Sequence, residues 1–561
     1  MTLHPLFARH MSARATHPQL SRAHLAALAS LVIAAAMLAG CCSHRYSLQS
    51  VTPHRIEVTR ALDAHPVAAA TDFVASFRPG VDSLQAPRVG ESAMYMSGHR
   101  PESLLSNWVA DALVTAATSL GYAPDLGVCN VGGLRAAMPE GVVRRGDIIN
   151  ISPFENVLSI LTLRGSDLQA LMADIAAVRG EGVSSSMRMV ITRGGELRSA
   201  LVGGAPIDTA RTYTIATLDY LAEGNDKLYA LKRSVKREDT RLTVREVLMQ
   251  ELARLDAAGQ KASAAIEGRI VMTDEGELPP LAGVKEVGGP EQTLEIAAAT
   301  GKRTRQLLVV HTNDTHSCID PLSPYLADTA NADKGGYVRR AALLRDLRAA
   351  DPDLLLFDSG DFSQGSPFYS LYKGDVEVGL MNLMGYDAAT IGNHEFDFGL
   401  DNMARLFRMA RFPIVCCNYD FTGTPVEGLV KPYVVLRRGG LRIGVLGVSP
   451  QLESLVASHT CAGVTYTDPR EVVPGIVATL RDKERCDLVI CLSHLGWMVA
   501  GMGDEELVPA TSGIDLVLGG HSHTYFASPQ LLKDASGRAV PDNQMGKNAR
   551  YVGTLRLTLQ R

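Results

Sequence analysis

Between residues 305 and 561, five short apolar runs each end in a turn rich in Asp, Asn and His, and that repetition limits the folds open to this chain. Residues 307–310 lead into Asn313-Asp314-Thr315-His316, and residues 354–357 into Asp358-Ser359-Gly360-Asp361. The run around Ile391 breaks at Gly392-Asn393-His394-Glu395 and is followed by Asp397. Residues 488–491 lead to Ser493-His494, and residues 516–518 to Gly519-Gly520-His521-Ser522-His523. Uninterrupted apolar runs of this length read as strands buried on both faces. Helix-patterned segments, residues 338–349 and 376–384, lie between them, so crossover units and buried sheets are expected. In such sheets the groups that follow the carboxyl ends of the strands converge.

What converges is a set of hard-metal ligands. Asp314 and His316 are two apart, so an extended segment points both to one side, and His521 and His523 repeat the spacing. Asp361 offers two oxygens, enough to bridge cations about 3.5–4 Å apart. Asn393 and His494 add an amide oxygen and an imidazole. Oxygen and imidazole donors suit manganese, zinc, iron or magnesium better than a thiophilic ion. His394 followed by Asp397 is an imidazole with a carboxylate in reach to hold it.

At 561 residues the chain is too long for one core. Its net charge of −5 lacks the basic footprint of a nucleic-acid binder. A small anion remains open as substrate, because bound metal supplies positive charge. Nine cysteines without any CxxC spacing argue against a cysteine zinc site. Disulfides among Cys318, Cys461 and Cys486 stay open. Residues 1–41 read as a secretory signal: Arg9, Arg14 and Arg22, then an apolar run to Ala39, then Gly40 and Cys41. Leu38-Ala39-Gly40-Cys41 resembles a bacterial lipobox, which implies a lipid anchor at Cys41 and a place in the cell envelope, facing the periplasm or the cell surface.

Residues 46–275 read as a first, mixed domain, residues 276–304 as a linker rich in Pro, Gly and charge, and residues 305–561 as the second domain. In the first, residues 102–118 carry helical spacing. The strand-like residues 126–129 run into Asn130-Val131-Gly132-Gly133-Leu134-Arg135, where glycines admit a ligand and Arg135 can fork onto an anion. Phe154, beside Asn156, and Tyr220, before Glu223-Gly224-Asn225-Asp226, are either core aromatics or a clamp for a flat base.

The five turns together resemble those of the calcineurin-like metallophosphoesterases, and Gly392–Asp397, GNHEFD, is similar to the 5′-nucleotidase and UDP-sugar hydrolase family. The stretches at Asn130–Arg135, Pro153–Asn156 and Tyr220–Asp226 resemble that family's substrate-binding domain. The resemblance implies an α+β substrate-binding domain followed by a four-layer αββα metallophosphoesterase sandwich. It also implies two divalent cations, one held by Asp314, His316, Asp361 and His523, the other by Asp361, Asn393, His494 and His521. Catalysis would fall to His394, positioned by Asp397, with water attacking phosphorus. Asn130 and Arg135 would meet phosphate, Phe154 and Tyr220 the base, and Asp226 the ribose hydroxyls, with Asn156 beside them. The implied reaction is release of phosphate from nucleoside 5′-monophosphates. Alternatives are UDP-sugar diphosphatase, 2′,3′-cyclic-nucleotide phosphodiesterase with 3′-nucleotidase, or an inactive lipid-anchored nucleotide receptor. Two features depart from the family: its catalytic domain normally comes first, and its arginine ahead of the first substrate-domain helix has no clean match at His99-Arg100.

Overall fold

The computed structural model describes residues 46–275, 286–287, 291–298, 303–324, 330–453, 455–499 and 501–561. The signal segment and Cys41 lie outside the described residues. No helix among the described residues is long and apolar enough to cross a membrane.

Apolar side chains gather into two separate units. The core of the first is built from residues between Met96 and Ile270. It packs helices such as Leu104–Ser119 against a sheet ordered Lys236–Thr243, Val157–Arg164, Thr212–Leu218, Leu126–Cys129 and Gly182–Val183. Ser103 starts that helix in a capping box with Ser106, its hydroxyl accepting from the Ser106 N–H.

The second unit is a four-layer sandwich. Among the described residues, eight strands form one sheet and six the other. Leu307, Val309, Leu355, Phe357, Ile443, Ile490 and Leu516 fill the space between the sheets. Helices Tyr337–Ala350, Asp375–Met384 and Gly399–Met409 cover the outer face of the larger sheet, and Pro469–Ala478 and Asp504–Ala510 cover the smaller. Being buried on both faces is what makes residues such as 488–492 apolar without alternation.

The packing corrects the expected boundary of the first domain. Strand Ser47–Glu57 does not join the first unit; it pairs antiparallel with the last strand, Tyr551–Gln560, from Ser47↔Gln560 to Glu57↔Tyr551. Helix Ala68–Gln85 buries Ala70, Val74 and Val81 in the sandwich's outer core. The described residues therefore start in the second unit, cross at Ala86-Pro87 into the first, and are back in the second at Leu294–Glu295. Within the expected linker, Leu294–Glu295 pairs with Ser47–Glu57 and Glu286–Val287 with Tyr525–Phe526. Cys318, Cys461 and Cys486 are all free thiols, so no disulfide joins them.

Val51 is fully buried opposite Leu557. Val51→Asp should therefore destabilise the sandwich by about 3 kcal/mol or more, because its charge has no buried partner. Urea unfolding followed by hydrogen exchange should show the sandwich losing protection first; selective loss in residues 88–273 would contradict the assignment of this strand.

Candidate active site

All five polar turns lie at the carboxyl ends of parallel strands, three from the larger sheet and two from the smaller, so the site sits on the shared edge of both. Asp314, His316 and His523 bring one ligand atom each within 4.8 Å of one another; so do His316, Asp361 and His394, and so do Asp361, His494 and His521. Asp361 belongs to two of these three groups. His494 Nε2 is 3.2 Å from Asp361 Oδ2 and 4.0 Å from Asp314 Oδ1. His523 Nε2 lies 3.5 Å from Asp314 Oδ1 and 2.9 Å from His316 Nε2.

The backbone that achieves this is not the extended segment expected from the spacing. Asp314 (φ 48°), His316 (φ 42°), Asp361 (φ 54°), His521 (φ 68°) and His523 (φ 55°) are all left-handed. Each such residue costs on the order of 1–3 kcal/mol and persists only where its surroundings hold it. Those surroundings are visible. The His521 N–H donates to both oxygens of Asp314, at 3.1 and 3.0 Å, and the His316 N–H to the Asp361 carbonyl at 2.9 Å. Glu395, buried, accepts from the N–H groups of Gly392, Asp361 and Ser363 at 2.6, 3.0 and 3.1 Å, tying two of the polar turns together. Sequence reasoning gives Glu395 no role, although its place in the GNHE turn is a signal. Burial and the neighbouring Asp361 charge raise its pKa to about 7.

The donor set fits divalent cations. Asn393 Oδ1 is buried with no hydrogen-bond partner among the described residues, an acceptor that a cation would satisfy. Burial works against a charge on His494, but Asp361 and Asp314 raise its pKa to about 10, and burial raises Asp314 to about 7. Protons thus offset the carboxylates until a cation displaces them.

Beside this cage, His394 Nδ1 stands 3.2 Å from both oxygens of Asp397. The backbone N–H of His394 donates to Asp361 Oδ1 at 2.9 Å. Burial opposes charge on the imidazole, yet Asp397 and Asp361 hold its pKa above the ordinary value.

From the cage a cavity of about 340 Å³ runs into the first unit. Asp361, Asn393, His394, Asp397, His521 and His523 line one end, and Asn130, Arg135, Phe154, Asn156, Tyr220 and Asp226 line the other. Within it Asp226 accepts from Asn130 Nδ2 at 2.6 Å and from the Tyr220 hydroxyl at 3.1 Å. The Phe154 ring centre lies 5.9 Å from that of His394 and 5.3 Å from the Arg135 guanidinium. Burial lowers the Arg135 pKa. Arg100, by contrast, is engaged elsewhere: its Nε donates to the Gly180 carbonyl at 2.8 Å and its Nη2 pairs with Glu181, which also accepts from the Val131 N–H. Arg100 thus braces the Asn130 loop from behind.

Three residues at or near the cavity carry no sequence signal. The turn Ser458–Thr460 brings His459 and Thr460 from the second unit to the cavity wall. Glu223 of the first unit accepts from the Ser458 N–H at 2.8 Å and its hydroxyl at 3.1 Å, and Lys232 pairs with Glu453 at 2.8 Å, so both units grip this loop. Lys547 is carried toward the cage by a stitched turn: Asn313 Nδ2 donates to the Gly546 carbonyl and the Asn548 N–H to that of Asp314, each at 2.8 Å. Burial, then the Arg135 charge, lowers the Lys547 pKa to about 8.

Residues 85–233 match the family model described as 5′-nucleotidase, C-terminal domain, and residues 307–525 match calcineurin-like phosphoesterase. The chain thus carries a module similar to the 5′-nucleotidase C-terminal domain followed by one similar to calcineurin-like phosphoesterases, the reverse of the order that the first module's description implies. The module that the family places at its carboxyl end here precedes the phosphoesterase module. A 5′-nucleotidase of Bos taurus is 30% identical over 274 residues, 46% of this chain and 47% of that protein. An apyrase of Tabanus yao is 32% identical over 276 residues, 46% of this chain and 49% of that protein. The chain spans about half the length of the curated relatives it matches. A 5′-nucleotidase precursor from Thermus thermophilus aligns with 30% identity over 45% of this chain and 51% of that one, at a TM-score of 0.41.

In the phosphoesterase module, Gly392 is needed for space: a Cβ there would sit 2.1 Å from Asp361 Oδ1 and 2.6 Å from the Asp361 backbone nitrogen. Gly392→Ala should push Asp361 aside and weaken manganese binding about 10- to 100-fold, measured by calorimetry on folded protein. Wild-type affinity in this variant would show that Asp361 is not a ligand.

Proposed function

We propose that the chain is a metal-dependent phosphoric ester hydrolase acting on nucleotides, with nucleoside 5′-monophosphates as its substrates. The observation that carries this reading is the single unbroken cavity, which joins an Asp/His/Asn cage to an aromatic and amide-lined pocket within one chain. On this reading Asp314, His316, Asp361 and His523 hold one divalent cation, and Asp361, Asn393, His494 and His521 a second. Bound there, the cations would supply positive charge for the phosphoryl oxygens and acidify water.

The chain's own groups do the rest. Asp397 occupies His394 Nδ1, which leaves Nε2 to face the reacting phosphoryl group and give a proton to the departing ester oxygen. Arg135 and Asn130 hold the phosphate end, Phe154 and Tyr220 hold the base, and Asp226, already oriented by Asn130 and Tyr220, accepts from the ribose hydroxyls. Asn156 lines the same pocket. Attack by water forms a new P–O bond while the bond to the 5′ oxygen breaks, giving nucleoside and phosphate without a covalent enzyme intermediate. Export and lipid anchoring at Cys41, in a bacterial envelope, complete the proposal and suit a substrate too charged to cross a bilayer.

Phosphate release from AMP with added manganese, abolished by chelation, tests the reading. His394→Ala should lower turnover about 10²- to 10⁴-fold while leaving metal content near wild type. Nucleotide binding with no phosphate release from the metal-loaded wild type would favour the inactive receptor instead.

A further inference from the structure

Asp219, the residue before the clamp tyrosine, takes no part in the proposed hydrolysis. It lines the cavity together with Tyr220, Asp226, His459 and Thr460. Its Oδ1 accepts from two backbone N–H groups, Tyr220 at 2.8 Å and Val157 at 3.1 Å, which fixes the carboxylate in place. No hydrogen bond to Oδ2 and no ion pair of Asp219 occurs among the described residues, so this oxygen is a free acceptor on a braced group.

Tyr220 turns this into a ruler. At the phenol end of its side chain the hydroxyl reaches Asp226, 3.1 Å away; at the backbone end its N–H reaches Asp219. A base stacked along this ring, with its ribose at Asp226, extends toward Asp219. The edge that arrives there is the one farthest from the sugar, where adenine and cytosine carry an amino group and hypoxanthine and uracil a carbonyl oxygen. A carboxylate accepts from the amino group and repels the carbonyl. Burial raises the Asp219 pKa to about 6, which leaves it mostly ionised at pH 7.

We propose that Asp219 is a specificity-determining residue that selects nucleotides whose base presents an amino group at the edge distal to the ribose, AMP over IMP and CMP over UMP. The proposal rests on the nucleotide-hydrolase reading and on Asp226 as the ribose end of the pocket.

Asp219→Asn is the informative variant. Its amide oxygen keeps the two backbone hydrogen bonds, and its NH₂ replaces the free acceptor with a donor. In wild type, kcat/KM should favour AMP over IMP, and CMP over UMP, by about 10- to 100-fold, the worth of one charge-assisted hydrogen bond. In Asp219→Asn both ratios should fall to about one or invert. Calorimetry with adenosine and inosine on the metal-free wild type gives the same comparison without turnover. Equal affinity for adenosine and inosine, or ratios that the variant leaves unchanged, would overturn the proposal. Absence of nucleotide hydrolysis with a retained adenosine preference would instead overturn the hydrolase reading and keep Asp219 as the selector.

Discussion

Every part of the site leans on Asp361. Its side chain faces His494 with one oxygen and accepts the His394 backbone N–H with the other. Its own N–H is held by Glu395, and its carbonyl receives the N–H of His316. One buried carboxylate in a left-handed backbone thus connects four polar turns drawn from two sheets. Its φ is strained and burial works against its charge, but the neighbouring His494, His394 and His316 hold its pKa well below the ordinary carboxylate value. A bound cation would take over the neutralising role of these imidazoles and reward the strained turns that aim the donors.

Reversed domain order does not separate catalysis from substrate binding. Strand Ser47–Glu57 and helix Ala68–Gln85 belong to the sandwich, and Ala86-Pro87 hands the chain to the other unit at once. Helix Arg145–Ile151 of that unit packs back on Ala68–Gln85 and on Pro367–Tyr372, while Glu223 and Lys232 grip the loop around Ser458 on another side. The two units are therefore joined twice through the chain and at two packed contacts. A cavity that needs groups from both is assembled in a single molecule.

The sequence displayed the strand runs and their polar ends plainly, because burial on both faces leaves no polar residue inside residues 488–492 or 516–518 and the ligands must follow at the ends. It displayed Asn130, Arg135, Phe154, Tyr220 and Asp226 as candidates, yet periodicity alone left the two aromatics equally suited to a core. What it concealed was long-range. Pairing of Ser47–Glu57 with Tyr551–Gln560 spans nearly the whole chain, and no local pattern records it. The DxH and HxH spacings suggested extended backbone, whereas left-handed turns bring those side chains together; close packing among the turns, not local propensity, decides this. His459 and Lys547 reach the site on loops whose sequences look like any other polar loop.

Anomalous diffraction at the manganese edge, from crystals soaked with manganese and a non-hydrolysable AMP analogue, measures the central claim directly. The account predicts two peaks flanking the Asp361 carboxylate, with the analogue's phosphate beside them and its base against Tyr220 in the same chain. One peak away from Asp361, or a nucleotide bound outside the shared cavity, would contradict it.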